Sequence, residues 1–139
     1  MTQQQSISIE NNITEVATAM DSFEAFAEQH GISAGVTMKI NIVLDEIISN
    51  IIKYGFPDKS KQLLEIAFEL VDSKLVLKIS DNGVPFNPFQ TTPPNFAVPL
   101  EEREIGGLGI HLVRQLMDEY SYDREAEKNI LTMTKKQLF

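Results

Sequence analysis

Apolar and polar residues alternate briefly near the start of the chain and then recur at helical spacing over two longer segments. The alternation SISIE at residues 6–10 predicts a short strand. A first helix is expected from an asparagine cap at residue 11 or 12 to about residue 29, with Gly31 as its stop. Ser33 starts a second helix that continues to about residue 54. The apolar positions expected on the packed faces are Ile13, Val16, Ala17, Met20, Phe23 and Ala27 in the first helix, and Val36, Ile40, Val43, Leu44, Ile47, Ile48 and Ile51 in the second.

The middle of the chain changes to a period of two. The segments LLEIAFELV at Leu63–Val71 and KLVLKIS at residues 74–80 both alternate, and the dipeptide Asp-Ser at 72–73 between them is expected to form a turn. Together they predict a hairpin with one buried face. Five of the six prolines then fall within residues 84–105. Such a stretch cannot be regular helix or central strand, and a loop of this length is typical of a lid or of disorder; its unusual flanking residues favour a lid.

The last segments complete the predicted order of elements. A helix is expected at about residues 107–119, followed by YSYDRE and NILTMTKKQ, which are typical of a closing hairpin. Strand, two helices, hairpin, loop, helix and hairpin predict an α+β fold, a two-layer sandwich with helices on one face of a mainly antiparallel sheet. Neither a repeat nor a linker divides the sequence, so residues 1–139 are expected to form a single domain.

Composition and charge narrow the possible functions. The sequence has 139 residues and no cysteine, which excludes disulfides, a thiolate zinc site and a cysteine nucleophile. A net charge of -8 with twelve basic residues argues against binding along a nucleic-acid backbone, although backbone amides can still bind one nucleotide phosphate group. Apolar runs are short and the polar start lacks the pattern of a signal peptide, so we expect no membrane span and a cytoplasmic location.

Two polar clusters interrupt the apolar pattern. In LDEIISNIIKYGF, Glu46 and Asn50 are four residues apart on one helical face. A carboxylate beside a carboxamide suits Mg²⁺ with oxygen ligands and a proton acceptor, while the alternative is a solvated polar edge of a core helix. In SDNGVPF, Asp81 and Gly83 follow a strand, where they form either a simple turn or an acceptor for an exocyclic amine such as that of adenine.

A third cluster is the glycine-rich segment EREIGGLGIHLVR, which leads into the last helix. Free backbone amides and the positive end of a helix dipole at Gly106, Gly107 and Gly109 would make a phosphate site. Glycines also permit tight loops and close packing, so this segment alone is a weak signal.

Taken in order, the three clusters resemble the N, G1 and G2 boxes of the GHKL ATPase superfamily, whose nucleotide-binding domain is the Bergerat fold. The resemblance covers residues 38–122, and within the superfamily the chain is most similar to the anti-sigma factor serine kinases. It implies an ATP- and Mg²⁺-dependent protein serine kinase, usually a homodimer, that binds a sigma factor and phosphorylates an anti-sigma factor antagonist of the STAS type. The alternatives are a non-catalytic, ATP-regulated partner-binding switch and, less favoured, a histidine-kinase catalytic domain.

The same resemblance implies roles for individual residues. Asn50 would be the Mg²⁺ ligand and Glu46 the general base on the attacking hydroxyl or water. Asp81 would bind adenine, with Gly83 beside it. The phosphates would be held by Gly107 and Gly109, with Gly106 assisting.

Two basic residues are further candidates for phosphate contacts. Lys53 stands where relatives often carry histidine, and it is either a phosphate contact or a solvated cation at the end of the helix. Arg103 lies in the expected lid and would reach the phosphates when the lid closes.

Overall fold

The computed structural model describes residues 3–90 and 107–139. Its sheet has five strands in the order β1-β2-β3-β5-β4, and every pair of neighbouring strands is antiparallel. The strands are β1 (Gln3–Glu10), β2 (Leu63–Val71), β3 (Lys74–Asp81), β4 (Glu119–Glu125) and β5 (Lys128–Lys135), and the helices are α1 (Val16–Gln29), α2 (Ala34–Tyr54) and α3 (Gly107–Leu116). No helix within the described residues is long and apolar enough to cross a membrane.

The helices cover one face of the sheet, which confirms the predicted α+β sandwich. Alternate residues of β2 are fully buried, including Leu64 and Phe68, while Glu65 between them is exposed. The Phe68 ring lies 5.1 Å from that of Phe23 and 5.7 Å from that of Phe26, both on α1. The period-two pattern therefore selects the face on which the helices pack.

The predicted caps fix the ends of the first two helices. The Ser33 hydroxyl accepts a hydrogen bond from the Val36 amide (3.2 Å) at the start of α2. Gly31 has φ +72°, the left-handed conformation that glycine adopts most easily, and it follows the end of α1. All seven α2 positions expected on the packed face are buried. The α2 helix therefore presents its polar residues on a defined side.

The predicted asparagine cap is present, since Asn12 Oδ1 accepts from the Thr14 amide (3.0 Å), but the helix that was expected to follow it directly begins later. Residues Ile13–Glu15 form a 3₁₀ turn before α1 begins, and Ile13 is 51% exposed. Because the α-helical turn begins only at Val16, the packed face falls on Ala19 and Phe26, while Ala17 points outward. The predicted packed face was correct at Val16, Phe23 and Ala27, but not at Ile13 or Ala17.

The last helix is shorter than expected, since α3 ends at Leu116 and Glu119 belongs to β4. The Asp118 amide donates to the Thr134 carbonyl oxygen (2.9 Å), and the Asp118 carboxylate accepts from the Lys136 amide (2.7 Å). The Asp118 amide, which could otherwise continue the helical hydrogen bonding, is therefore bonded to β5.

Both predicted hairpins are present. Asp72 and Ser73 have φ of 51° and 64°, and Ala126 and Glu127 have φ of 50° and 64°, which is the geometry of two-residue turns between antiparallel strands. Within the expected lid at 84–105, one short regular element occurs, the 3₁₀ turn Pro88–Gln90, which proline tolerates at its first position. The rest of that prediction, residues 91–105, lies outside the described residues.

Candidate functional site

The α2 helix places Glu46 and Asn50 on one side, as their spacing predicts. Asn50 is 7% exposed, and its Nδ2 donates to the Glu46 carbonyl oxygen (2.6 Å). Because a carbonyl oxygen can only accept, this hydrogen bond identifies the nitrogen end of the side chain. Asn50 Oδ1 is then the end available to a cation.

The chemistry of this residue fits a magnesium ion. Among the described residues, no group of three or more His, Cys, Asp or Glu side chains could hold a metal, so the protein alone does not form a cage of ligands there. Mg²⁺ typically takes one or two protein oxygens and completes its octahedron with substrate phosphates and water. The Asn50 amide oxygen is a ligand of that kind.

Glu46 meets the first turn of α3 at Gly109. A Cβ added to Gly109 would collide with the Glu46 carboxylate, and it would lie 3.2 Å from Glu46 Cγ. Glycine at this position therefore leaves the space that the carboxylate occupies. The contact joins the first predicted cluster to the third, whose Gly107 begins α3; Gly106 lies outside the described residues.

The surroundings of Glu46 favour a proton acceptor. The pKa of Glu46 is raised, first because burial disfavours the charged form and next because the Asp45 carboxylate is close. The Lys53 ammonium opposes this shift. A glutamate whose pKa moves towards neutral accepts a proton more effectively at the pH of a cell. Lys53 itself is exposed in the last turn of α2, and Arg103 lies outside the described residues.

Asp81 ends β3 and is 4% exposed. Its Oδ1 accepts from the Gly83 amide (2.8 Å) and from Asn129 Nδ2 (3.1 Å), so a local turn does form, as the simpler interpretation expected. Burial raises the pKa of Asp81, against the lowering effects of these two hydrogen bonds and of Arg124. With Oδ1 engaged by two donors, Oδ2 is the oxygen suited to an adenine amine.

The loop after β3 packs on the end of α2 through Gly83. A Cβ on Gly83 would meet the Gly55 carbonyl oxygen and would lie 2.8 Å from Asp81 Oδ1. The Val84 amide also donates to the Gly55 carbonyl oxygen (2.9 Å). The second cluster is therefore attached to the helix that carries the first, and the requirement for glycine at 83 comes from this packing.

Asn129 is a buried residue that the sequence interpretation missed. Its Nδ2 donates to Asp81 Oδ1 and to the Val84 carbonyl oxygen (2.8 Å), and its Oδ1 accepts from the Phe86 amide (3.2 Å) and the Tyr122 hydroxyl. Four hydrogen bonds thus connect β5, β4, the end of β3 and the following loop. The signal available in the sequence was a polar residue at an inward position of the last strand.

Two arginines bind backbone groups of the same loop. Arg124 Nη1, from β4, donates to the Gly83 carbonyl oxygen (2.8 Å). Arg114 Nη2, from α3, donates to the Phe89 carbonyl oxygen. The described part of the loop is therefore held both at its start and near the 3₁₀ turn Pro88–Gln90.

Comparisons with known proteins identify the family of this chain. Residues 9–135 match the histidine kinase-like ATPase domain family. The serine/threonine-protein kinase BtrW of Bordetella bronchiseptica is 29% identical over 102 residues, covering 73% of this chain and 72% of that protein. The serine-protein kinase RsbW of Listeria innocua is 28% identical over 70% of this chain and 65% of its own length. RsbW of Staphylococcus aureus strain MRSA252 is 31% identical over 68% and 62%.

A solved structure shares the fold. The crystal structure of the RsbU and RsbW domains of Rv1364c from Mycobacterium tuberculosis aligns with a TM-score of 0.69 and 16% identity. The alignment covers 96% of this chain and 32% of the other. The five-stranded sheet and its layer of helices are therefore an arrangement that this protein shares with a structure of low sequence identity.

Proposed function

The chain belongs to the histidine kinase-like ATPase domain family, and from that premise we propose that it is an ATP-dependent protein serine kinase acting as an anti-sigma factor. The observation that carries the proposal is the contact between the Glu46 carboxylate and Gly109, which brings a proton acceptor to the glycine-rich start of α3. The three relatives described above are serine- or serine/threonine-protein kinases by name, which supports the choice of a protein hydroxyl as the acceptor.

Nucleotide binding would use all three clusters. Asp81 Oδ2 would accept from the adenine amine, and the amides of α3 at Gly107 and Gly109 would bind phosphate oxygens at the positive end of the helix dipole. Asn50 Oδ1 would hold Mg²⁺, which when bound neutralises phosphate charge. Positioning and charge stabilisation account for most of the catalysis of phosphoryl transfer, so a small set of residues suffices.

In the proposed transfer step, Glu46 accepts the proton of the substrate serine hydroxyl. The serine hydroxyl oxygen of the substrate protein forms a bond to the γ-phosphorus, the bond from that phosphorus to the bridging oxygen breaks, and ADP leaves. The hydroxyl proton passes to the Glu46 carboxylate. Burial and Asp45 both raise the pKa of Glu46, which makes it a better acceptor than an exposed glutamate.

The partners are proposed from the resemblance to the anti-sigma factor serine kinases. We propose that the phosphorylated protein is an anti-sigma factor antagonist of the STAS type, that the sequestered protein is a sigma factor, and that the kinase acts as a cytoplasmic homodimer. The acidic net charge of -8 supports a protein partner over direct binding to nucleic acid.

Isothermal titration with ATP, with and without Mg²⁺, tests the nucleotide site. We expect magnesium-dependent binding that is lost in Asn50→Ala and kept in Ser49→Ala, a neighbouring polar residue on α2. Glu46→Gln should bind ATP normally and transfer phosphate to a STAS-domain protein about 100-fold more slowly, the usual scale for a general base. Glu65→Gln, on the exposed face of the sheet, is its control.

Each outcome has a defined meaning. If Asn50→Ala binds Mg-ATP as the parent does, the assigned site is wrong. If ATP binds but neither the parent nor Glu46→Gln transfers phosphate, a nucleotide-regulated binding switch replaces the kinase.

A further inference from the structure

A groove of about 630 Å³ runs between α1 and α2, separate from the contact between Glu46 and Gly109. It follows one stripe of α2 at helical spacing and the facing side of α1. The lining residues that matter for its chemistry are Met20, Glu24, Glu28, Met38, Asn41 and Asp45.

The groove combines apolar and acidic groups. Met38 is 62% exposed, and with Met20 it presents flexible thioether side chains that adapt to different partners. Three carboxylates, of Glu24, Glu28 and Asp45, also line it, and none of the described residues lining it is basic. An occupant must therefore supply both apolar and cationic groups.

Asn41 is an independent sign of an unmet interaction in the groove. It is 8% exposed, and its Nδ2 donates to Glu24 Oε1 (2.8 Å). That hydrogen bond fixes the orientation of the amide, and Asn41 Oδ1 is buried without a hydrogen-bond partner in the described part of the chain. A buried acceptor in this state is energetically unfavourable.

We propose that the α1–α2 groove binds a basic amphipathic helix of a protein partner. Two neighbouring helix surfaces that include apolar side chains suit a third helix, whose apolar side would pack on Met38 and Met20. Lysine or arginine side chains along its edge would face the carboxylates of Glu24, Glu28 and Asp45. A second copy of this acidic chain is the poorer occupant, because its net charge is -8.

This proposal rests on the proposed function in one respect, namely that the partner is a protein. The groove and the candidate site share one helix, since Asp45 lines the groove while its neighbour Glu46 contacts Gly109. An occupant of the groove would thus bind the same rigid element that carries the proton acceptor.

The test uses synthetic peptides and the full chain. A fluorescent peptide of leucine and lysine, patterned as an amphipathic helix, is titrated against the protein and followed by anisotropy. A leucine and glutamate peptide with the same apolar pattern is the matched probe. We expect the basic peptide to bind, the acidic peptide not to bind, and Glu28→Lys to weaken binding at least tenfold. Glu65→Lys, an equal charge reversal on the exposed face of β2, should leave binding within about twofold.

A second variant, Met38→Glu, tests the apolar floor at an exposed position where folding is not at risk, and it should also weaken the basic peptide at least tenfold. Equal losses in Glu28→Lys and Glu65→Lys would overturn the proposal, because they would show only a general charge effect. Binding of both peptides, or of neither, would overturn it too. So would a dimer that dissociates in Met38→Glu by sedimentation, which would assign the groove to a second copy.

ATP titration of the same samples separates this proposal from the proposed function. Normal ATP binding with lost peptide binding in Glu28→Lys supports a distinct partner site. If the parent binds the basic peptide specifically but no ATP, the groove proposal stands and the proposed function fails.

Discussion

Replacing Gly109 with alanine should leave the stability of the fold nearly unchanged but slow phosphoryl transfer. The added Cβ would occupy the space of the Glu46 carboxylate, with Glu46 Cδ 2.5 Å away and Cγ 3.2 Å away. The atoms that must move belong to the end of a flexible side chain, so the carboxylate can rotate away without a shift of backbone. The variant should fold with Glu46 displaced.

The two effects on stability nearly cancel. Alanine is better than glycine inside a helix by up to about 1 kcal/mol, and Gly109 lies in the first turn of α3. Moving the Glu46 side chain out of its preferred rotamer costs about 0.5–1.5 kcal/mol. The melting temperature should therefore stay within about 4 °C of the parent. Transfer should fall about 100-fold, equivalent to about 2.7 kcal/mol of barrier.

The assay combines thermal unfolding, ATP titration and transfer of radiolabelled phosphate to a STAS-domain protein. Gly35→Ala is the matched control, because Gly35 is also helical and a Cβ there would have no atom within 4 Å. It should gain the same helical preference and keep the parent rate of transfer.

A Gly109→Ala variant that transfers phosphate at the parent rate would refute the reasoning, since Glu46 would then not need its present position. Loss of ATP binding with no change in the stability of the fold would instead show that a methyl group at residue 109 excludes the phosphates, which the Gly109 amide is proposed to bind. A melting temperature lowered by much more than the expected range would show that the carboxylate cannot move aside as inferred.

Three further predictions concern the charged and buried groups. Asp81→Asn keeps an acceptor for the Gly83 amide, so the fold should persist, while ATP affinity should fall at least tenfold because the carboxylate proposed to bind adenine is lost. The folded-state pKa of Asp81 is raised, so the stability of the parent should decline as pH rises through that pKa. Thermal unfolding across pH should show no such decline in the variant. Asn129→Leu removes one of the two donors to Asp81 Oδ1 and the donor to the Val84 carbonyl oxygen, so it should lower the free energy of unfolding by about 2–3 kcal/mol, measured by urea titration against the parent. Lys53→Ala removes the charge that lowers the pKa of Glu46, so the acidic limb of the transfer rate should move to higher pH; an unmoved limb would show that another group controls the rate.

Local signals in the sequence predicted most of the fold. Ser33 caps α2 and Gly31 ends the preceding turn through interactions with residues close by in sequence, so their effects are visible without the rest of the protein. The end of α3 was not predictable in this way. The apolar and polar pattern continues towards Glu119, and only the hydrogen bond between Asp118 and Thr134 shows that the strand prevails.

The sequence indicated candidate residues for the site but not the contacts that connect them. Glu46, Asn50, Asp81 and the glycines have recognisable spacing, whereas Asn129 acts through the register that places it opposite Asp81 on β3 and β5. That register depends on strands distant in sequence, and one inward polar residue is a weak signal of it. The residue that links the most parts of the site therefore carried the least sequence signal.

Packing within the protein itself requires glycine at residues 83 and 109, whether or not a ligand is bound. At each position the volume of a Cβ is already taken by the chain itself, by the Gly55 carbonyl oxygen beside Gly83 and by the Glu46 carboxylate beside Gly109. Both contacts connect α2 to a loop or helix that follows much later in sequence. The glycines that resemble a phosphate-binding motif therefore also allow Glu46, the proposed proton acceptor, to contact the start of α3, and allow the loop after Asp81 to pack on α2. Substitutions at these glycines should consequently disturb the positions of catalytic groups even where the nucleotide still binds.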